Sequence, residues 1–299
     1  MILGAGLAIG VLLAGHIRPT VTPPSRIGAV RPPTAARPAA PPAPRHPVTV
    51  PPIPRQNPEA SQGPVVGPGP ETPPAPQEQG HPRVAVIFDD AGYSMRAARE
   101  VMELGRPVTI SVLPDLPFST AIAEEAPRHG VQIILHLPVQ PDNPGILLGP
   151  GGITVDMSDD AIQKTVAADL AAVPTAVGAN NHMGSRGTSD PRVMRAVIEV
   201  IKARRLFFVD SLTSPHSVVT RVARELRVPT AVRAVFLDNQ DEEGYVRGQL
   251  LTLIKIAQNR GQAIAIGHVG KVTVRVLREM LPEFDEAGIT LVPVSQLVQ

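Results

Sequence analysis

Asp89 and Asp90 stand side by side after the apolar run VAVIF and ahead of Ala91-Gly92. Neighbouring carboxylates on an extended chain point in different directions, so one can hold a divalent metal while the other faces a reacting water, as a metal-dependent hydrolase requires. By itself the pair reads equally well as a polar turn closing a strand. Other sparse polar groups follow apolar runs in the same manner: His136 after QIIL, Asn180-Asn181-His182 after AVGA, Asp210 after LFFV, and His268 just after AIAI. One such histidine is ordinarily a hydrogen-bonded structural residue, whereas three beside an Asp pair point to a site. The stretch from Asn180 to Ser185 can supply a ligand, an oxyanion donor or backbone amides, with an asparagine-rich turn as the structural alternative. His16, His46 and His81 lie in a proline-rich stretch, and His129 and His216 in helical or loop surroundings, so they receive no role.

Several chemistries are disfavoured. Ser211 lacks the Gly-x-Ser-x-Gly setting that exposes a nucleophilic serine, and no glycine-rich phosphate loop or dinucleotide fingerprint follows the first apolar run. With 28 Lys and Arg against 27 Asp and Glu, and the N-terminal arginines scattered among prolines, nothing supports a nucleic-acid partner. The absence of cysteine excludes disulfides, thiolate metal sites and a cysteine nucleophile. Tryptophan is absent and tyrosine occurs only at Tyr93 and Tyr245, which is scarce for a protein that stacks on sugar rings.

Convergence of residues spread over so much sequence needs a scaffold that gathers strand ends. After residue 82 short apolar runs alternate with amphipathic segments, the texture of repeated βα units. Strands are expected at 84–88, 108–112, 132–135, 176–179, 206–209, 263–266 and 289–293, and helices at 94–104, 158–172, 191–203, 215–226, 243–259 and 272–286. Ser94, Ser158 and Asp190 are suited to cap first-turn amides, Pro191 to open a helix, and Gly105 and Gly261 to leave one. About seven mainly parallel strands favour an irregular or incomplete (β/α) barrel, whose C-terminal strand ends form one mouth. An open, doubly wound sheet is the alternative.

Most of the 35 prolines precede Arg83. Residues 1–16 form an apolar, signal-like or membrane-anchor segment, too short for a comfortable span of about 20 residues and lacking a basic start. Residues 17–82 cannot build a core and are read as a disordered, proline-rich linker with extended polyproline geometry. Residues 83–299 have ordinary globular composition and form the domain. The expected location is the periplasm or cell envelope, with membrane contact only through the N-terminal segment.

The motifs VAVIFDDAGY, IILHLPVQP, AVGANNHMGS, LFFVDSLTS and AIAIGHVG, in this order, resemble the divergent polysaccharide deacetylase family over essentially all of residues 83–299. The resemblance implies a deacetylase-type barrel in which Asp89 is the general base, Asp90 and His136 bind a divalent metal, zinc by expectation, and His268 is the general acid. The wider superfamily has a second metal histidine four residues beyond the first; Gln140 stands there, and a carboxamide is a poor zinc ligand, so His182 is expected to complete the site. The family often carries an Arg-Asp pair before its VFLD-like run, whereas here Arg233-Ala234 precedes Val235-Phe236-Leu237-Asp238; a carboxylate is missing and spacing alone does not assign Asp238 a role. Asn180, Asn181, Ser185 and Asp210 are expected to touch substrate.

The function implied is an exported, metal-dependent hydrolase removing N-acetyl or related acyl groups from an envelope polysaccharide or oligosaccharide. The competing readings are a catalytically silent domain that binds an envelope glycan or protein, and a glycoside hydrolase using Asp90 and Asp210 as its two carboxylates.

Overall fold

A computed structural model describes residues 80–299. The segment 1–16 and residues 17–79 of the proline-rich stretch lie outside the described residues. In chain order the elements are β1 (Arg83–Ala91), α1 (Met95–Met102), β2 (Thr109–Val112), α2 (Ser119–Glu125), β3 (Gln132–Val139), α3 (Asp159–Ala172), β4 (Gly178–Met183), α4 (Pro191–Ala203), β5 (Phe207–Asp210), α5 (Val219–Leu226), β6 (Thr230–Val232), β7 (Val235–Phe236), α6 (Glu243–Arg260), β8 (Gln262–His268), α7 (Lys271–Glu286) and β9 (Thr290–Leu291). None of these helices is long and apolar enough to cross a membrane.

All strand pairs are parallel, in the order β6-β5-β4-β3-β2-β1-β8-β7, with β9 added on β1. The two ends of this sheet, β6 and β7, are neighbours in sequence, separated only by Arg233 and Ala234. The Arg233 N–H bonds to the Asp210 carbonyl (3.1 Å) and the Ala234 N–H to that of Ile264 (2.8 Å), so one short run changes partner from β5 to β8. An open sheet holds its ends apart; here the chain brings them together, and the sheet curls into an irregular barrel.

Both faces of the sheet are buried, as parallel sheets require. Ala85 and Ile87 of β1, Ile134 of β3, Phe207 and Val209 of β5, and Ile264 and Ile266 of β8 fill the barrel interior. Val84, Val86, Phe88, Ile133, Leu135 and Phe208 face the helical layer. Ser94, Ser158 and Asp190 cap their helices as expected, accepting from Ala97, Ala161, and Arg192 with Val193 respectively. α5 starts later than expected because Ser217 is spent in a turn, donating to Asp210 Oδ2 (2.7 Å). β6, β7 and α2 were not foreseen: two to seven residues are too few for a periodicity to show.

The β3–α3 connection runs beside the barrel mouth, and one contact in it has a measurable consequence. Asp169 of α3 is buried and its Oδ2 has no hydrogen-bond partner. Gly151, at φ +70°, sits so close that a Cβ there would lie 2.3 Å from Asp169 Oδ1. Burial, reinforced by Asp115, pushes the Asp169 carboxyl up to about 7. Because the folded state holds a proton that the unfolded chain releases near about 4, stability falls as pH rises from about 4 to 7 and is flat above. Asp169→Asn is expected to leave Tm unchanged near pH 4 and raise it by roughly 5–10 °C at pH 8, the effect of a few kcal/mol in a domain of this size; thermal unfolding at both pH values checks this.

Candidate metal centre and active site

Strand alternation decides which polar residues reach the barrel mouth. Asp89 continues the inward series of Ala85 and Ile87, His136 that of Ile134, and His268 that of Ile264 and Ile266. The ladders align them, with Asp89 opposite His268, His136 opposite Asn180 and Pro138 opposite His182. β1, β3, β4 and β8 all run further than expected, so these residues lie within the strands' last turns and not after them. Asp90 would point outward on a regular strand. Instead β1 advances from Phe88 to Ala91 while β2 advances only from Ile110 to Val112, a bulge in which Asp90 takes a left-handed φ of +62°.

The bulge brings Asp90 Oδ1 to 3.2 Å from His136 Nε2 and 3.0 Å from His182 Nδ1, and these two nitrogens lie 3.2 Å apart. Tetrahedral zinc with bonds of about 2.0–2.1 Å separates its ligand atoms by roughly 3.3 Å, close to the edges of this triangle. Asp90 Oδ1 is buried and has no hydrogen-bond partner, which a cation would satisfy. Burial alone would push the Asp90 carboxyl up, but the two imidazoles outweigh it and hold it well below the usual carboxylate range. The residues therefore fit a divalent metal.

Asn180 fixes the tautomer. A carboxylate only accepts, so the amide nitrogen of Asn180 must face Asp89 Oδ1 (2.9 Å), and its Oδ1 then accepts from Ser111 Oγ (2.6 Å) and His136 Nδ1 (2.8 Å). With its proton on Nδ1, His136 presents the Nε2 lone pair to the triangle. Burial raises the Asp89 carboxyl against the opposing pull of His136 and Asn180. His136 is raised because Asp89 and Asp90 outweigh the burial that disfavours its charge.

On the opposite rim, His268 Nδ1 lies 3.1 Å from Asp238 Oδ1, while Asp238 Oδ2 accepts from the His268 N–H (2.7 Å) and from Thr273 Oγ1 (2.6 Å). The bond to Asp238 raises His268 to about 9. Its Nε2 faces the site, 3.7 Å from Asp90 Oδ2. A cavity of about 560 Å³ lies elsewhere, near Thr230, Arg260 and Gln299, and no residue of this centre lines it.

A sequence model of the divergent polysaccharide deacetylases matches residues 86–298. The chain belongs to that family. An uncharacterized protein of Haemophilus influenzae is 33% identical over 215 residues, covering 72% of this chain and 76% of that protein. The uncharacterized protein YibQ of Escherichia coli is 34% identical over 216 residues, covering 72% and 67%. The crystal structure of an uncharacterized Agrobacterium tumefaciens protein shares the fold, with a TM-score of 0.69 at 22% identity, covering 74% of this chain and 91% of that one.

Within this divergent deacetylase barrel, Gln140 is turned away from the triangle: its Oε1 accepts from the Val155 N–H (2.8 Å), and His182 takes the third corner. The four residues expected to touch substrate take different places in the structure. Asn180 is fully buried and acts as the hub between Asp89 and His136. Asn181 and Asp210 have the outward parity of Ala179 and Phe208 and are buried. Asn181 binds the Ser211 N–H and the Met183 carbonyl, and Asp210 the Leu212 N–H and Ser217 hydroxyl. Ser185 Oγ accepts from the Asp142 N–H, tying two loops together. An outward Asp210 also removes the two-carboxylate glycosidase reading. Asp238 and Ser111 were missed as site residues; the VFLD-like run pointed at Asp238, but its partner could not be known without the β7–β8 pairing.

Zinc titration by calorimetry separates the ligand assignments. Asp90→Asn and His182→Ala are each expected to weaken zinc binding by more than about 100-fold, exceeding what loss of an outer-shell partner costs. Gln140→Ala is expected to keep affinity within about threefold, at a stability cost of about 1 kcal/mol for the orphaned Val155 N–H.

Proposed function

We propose that the domain is a zinc-dependent hydrolase that removes N-acetyl or related acyl groups from an envelope polysaccharide or oligosaccharide. The observation that carries this reading is the Asp90–His136–His182 triangle flanked by a buried carboxylate, Asp89, and an Asp238-oriented imidazole, His268. Bound zinc would supply Lewis acidity, polarising the amide carbonyl and lowering the pKa of water toward about 7. Asp89, oriented through Asn180, accepts a proton from the attacking water. His268, protonated at neutral pH because its pKa is raised to about 9, donates from Nε2 to the departing amine. The C–N bond breaks, and the products are the free amine and a carboxylate. The apolar residues 1–16 and the proline-rich stretch support export to the periplasm or cell envelope on a tether. A phosphatase reporter that matures only outside the cytoplasm, fused after the proline-rich stretch, should be active; an inactive fusion overturns export.

Elemental analysis of protein purified without chelator, paired with amine release from acetylated glycan oligomers, tests the reaction. About one zinc per chain and turnover are expected, with Asp89→Asn keeping its zinc and losing about 10²–10⁴ in kcat. Metal-free protein that takes up no zinc at micromolar concentration would sink the mechanism and leave a binding domain as the better account.

The acid role predicts a pH signature. His268 works only while protonated, so kcat should fall as pH rises through its pKa, near about 9 in the native enzyme. Asp238→Asn removes the largest cause of that elevation, and the alkaline fall should move toward about pH 6.5. A pH–kcat profile unchanged by this substitution would exclude His268 as the acid.

A further inference from the structure

An apolar groove opens beside the metal centre. It is lined by Leu113, Leu116, Leu147 and Leu148 with Pro114 and Pro150, and it shares His182 with the triangle and Met183 with β4. Its volume is about 370 Å³. The methyl of an acetyl group is about the size of a water molecule, whose share of the liquid is about 30 Å³, whereas pockets for whole apolar ligands begin near about 300 Å³. Apart from His182 and the Tyr93 hydroxyl, no lining side chain is polar or charged, so a sugar ring would lose its hydrogen bonds to water there.

The groove is built into the fold. Leu116 packs over Gly92, where a Cβ would lie 2.8 Å from Leu116 Cδ1 at a φ of +133°, so any other residue there would displace this wall. Met183 is held left-handed (φ +52°) with its carbonyl accepting from Asn181 Nδ2 (2.7 Å) and Thr213 Oγ1 (2.8 Å). Leu147 is 91% exposed and Tyr93 65%, an apolar surface at the mouth that asks for a cover.

We infer that the groove binds the acyl chain of the substrate, and that the acyl group removed is a longer alkyl chain, of roughly six to eight carbons, in preference to acetyl. This rests on the amide-hydrolase reading of the adjacent centre: His182 belongs to both the triangle and the groove, so a scissile carbonyl held at the triangle has the groove beside its acyl substituent.

The test measures binding and turnover separately, on the full chain. Calorimetry with N-acetyl-, N-butyryl-, N-hexanoyl- and N-octanoylglucosamine should show Kd falling about fourfold per added methylene, the factor that burial of one CH₂ gives. Leu147→Asp, at an exposed position, should flatten this dependence while zinc content and Tm stay unchanged. Equal affinities across the series overturn the inference without touching the hydrolase reading. An equal gain from an octyl chain on the anomeric oxygen of N-acetylglucosamine also overturns it, making the groove a leaving-group site. Chain-dependent binding with no amine release from any member keeps the groove as an alkyl-chain site, but overturns removal of that chain together with the hydrolase reading.

Discussion

The centre depends on one irregularity, the extra residue in β1. A strand alternates, so two consecutive carboxylates cannot both face a barrel interior unless the backbone departs from regular geometry. β1 departs on one side only: it pairs with β8 in unbroken register from Arg83 to Asp89, while its pairing with β2 slips by one residue beyond Phe88. Asp90 absorbs the slip at φ +62°, a conformation that costs about 1 kcal/mol for most residues and less for aspartate. The flanking backbone holds it there, with the Val269 N–H on the Asp89 carbonyl and the Leu113 N–H on that of Ala91. Strain at a strand end, kept by well-formed bonds on both sides, is how the fold presents Asp89 and Asp90 to one space with different partners.

From that point the polar chemistry follows through a neutral hub. Among the described residues, Asn180 is the only side chain that bonds both the expected base and a histidine of the triangle. Being uncharged, it orients Asp89 without a full positive charge, so burial still wins and the carboxyl is raised. A carboxylate raised by burial takes a proton more readily than one strongly stabilised by a cation would. The histidine on the other rim is raised for a different reason, its bond to the Asp238 carboxylate. One mouth thus holds two ionisable groups, Asp89 and His268, whose partners differ in kind, a neutral amide against an ionised carboxylate.

How far this was legible in the sequence depended on whether both strand faces are buried. Helix boundaries were read well, because Ser94, Ser158, Asp190 and Gly261 act through local bonds and backbone freedom. The residues of the centre were also visible, since an ionisable group ending an apolar run is a local anomaly. What failed was the direction of the side chains. In LFFVD both faces are apolar, so no alternation marks Asp210 as outward-facing; in AVGANNHM nothing separates Asn181 from Asn180. Direction becomes readable only with register, which long-range pairing sets. Asp238 was obscured for the same reason: it follows a two-residue strand whose place beside β8 is a tertiary fact.

β4 joins the two halves of the mouth. Its inward residues Asn180 and His182 serve the polar centre, while outward Asn181 pins the Met183 carbonyl and so shapes the apolar side. A buried asparagine on the wrong face for substrate contact is therefore not idle: with its amide bonds to Met183 and Ser211 made, it couples the end of β4 to β5. Replacing it with an apolar residue would orphan the Ser211 N–H and release Met183 from its left-handed conformation. The metal triangle and the groove would then shift together, since His182 and Met183 are adjacent on one backbone. One strand thus lines both the polar centre and the apolar groove, through His182 and Met183.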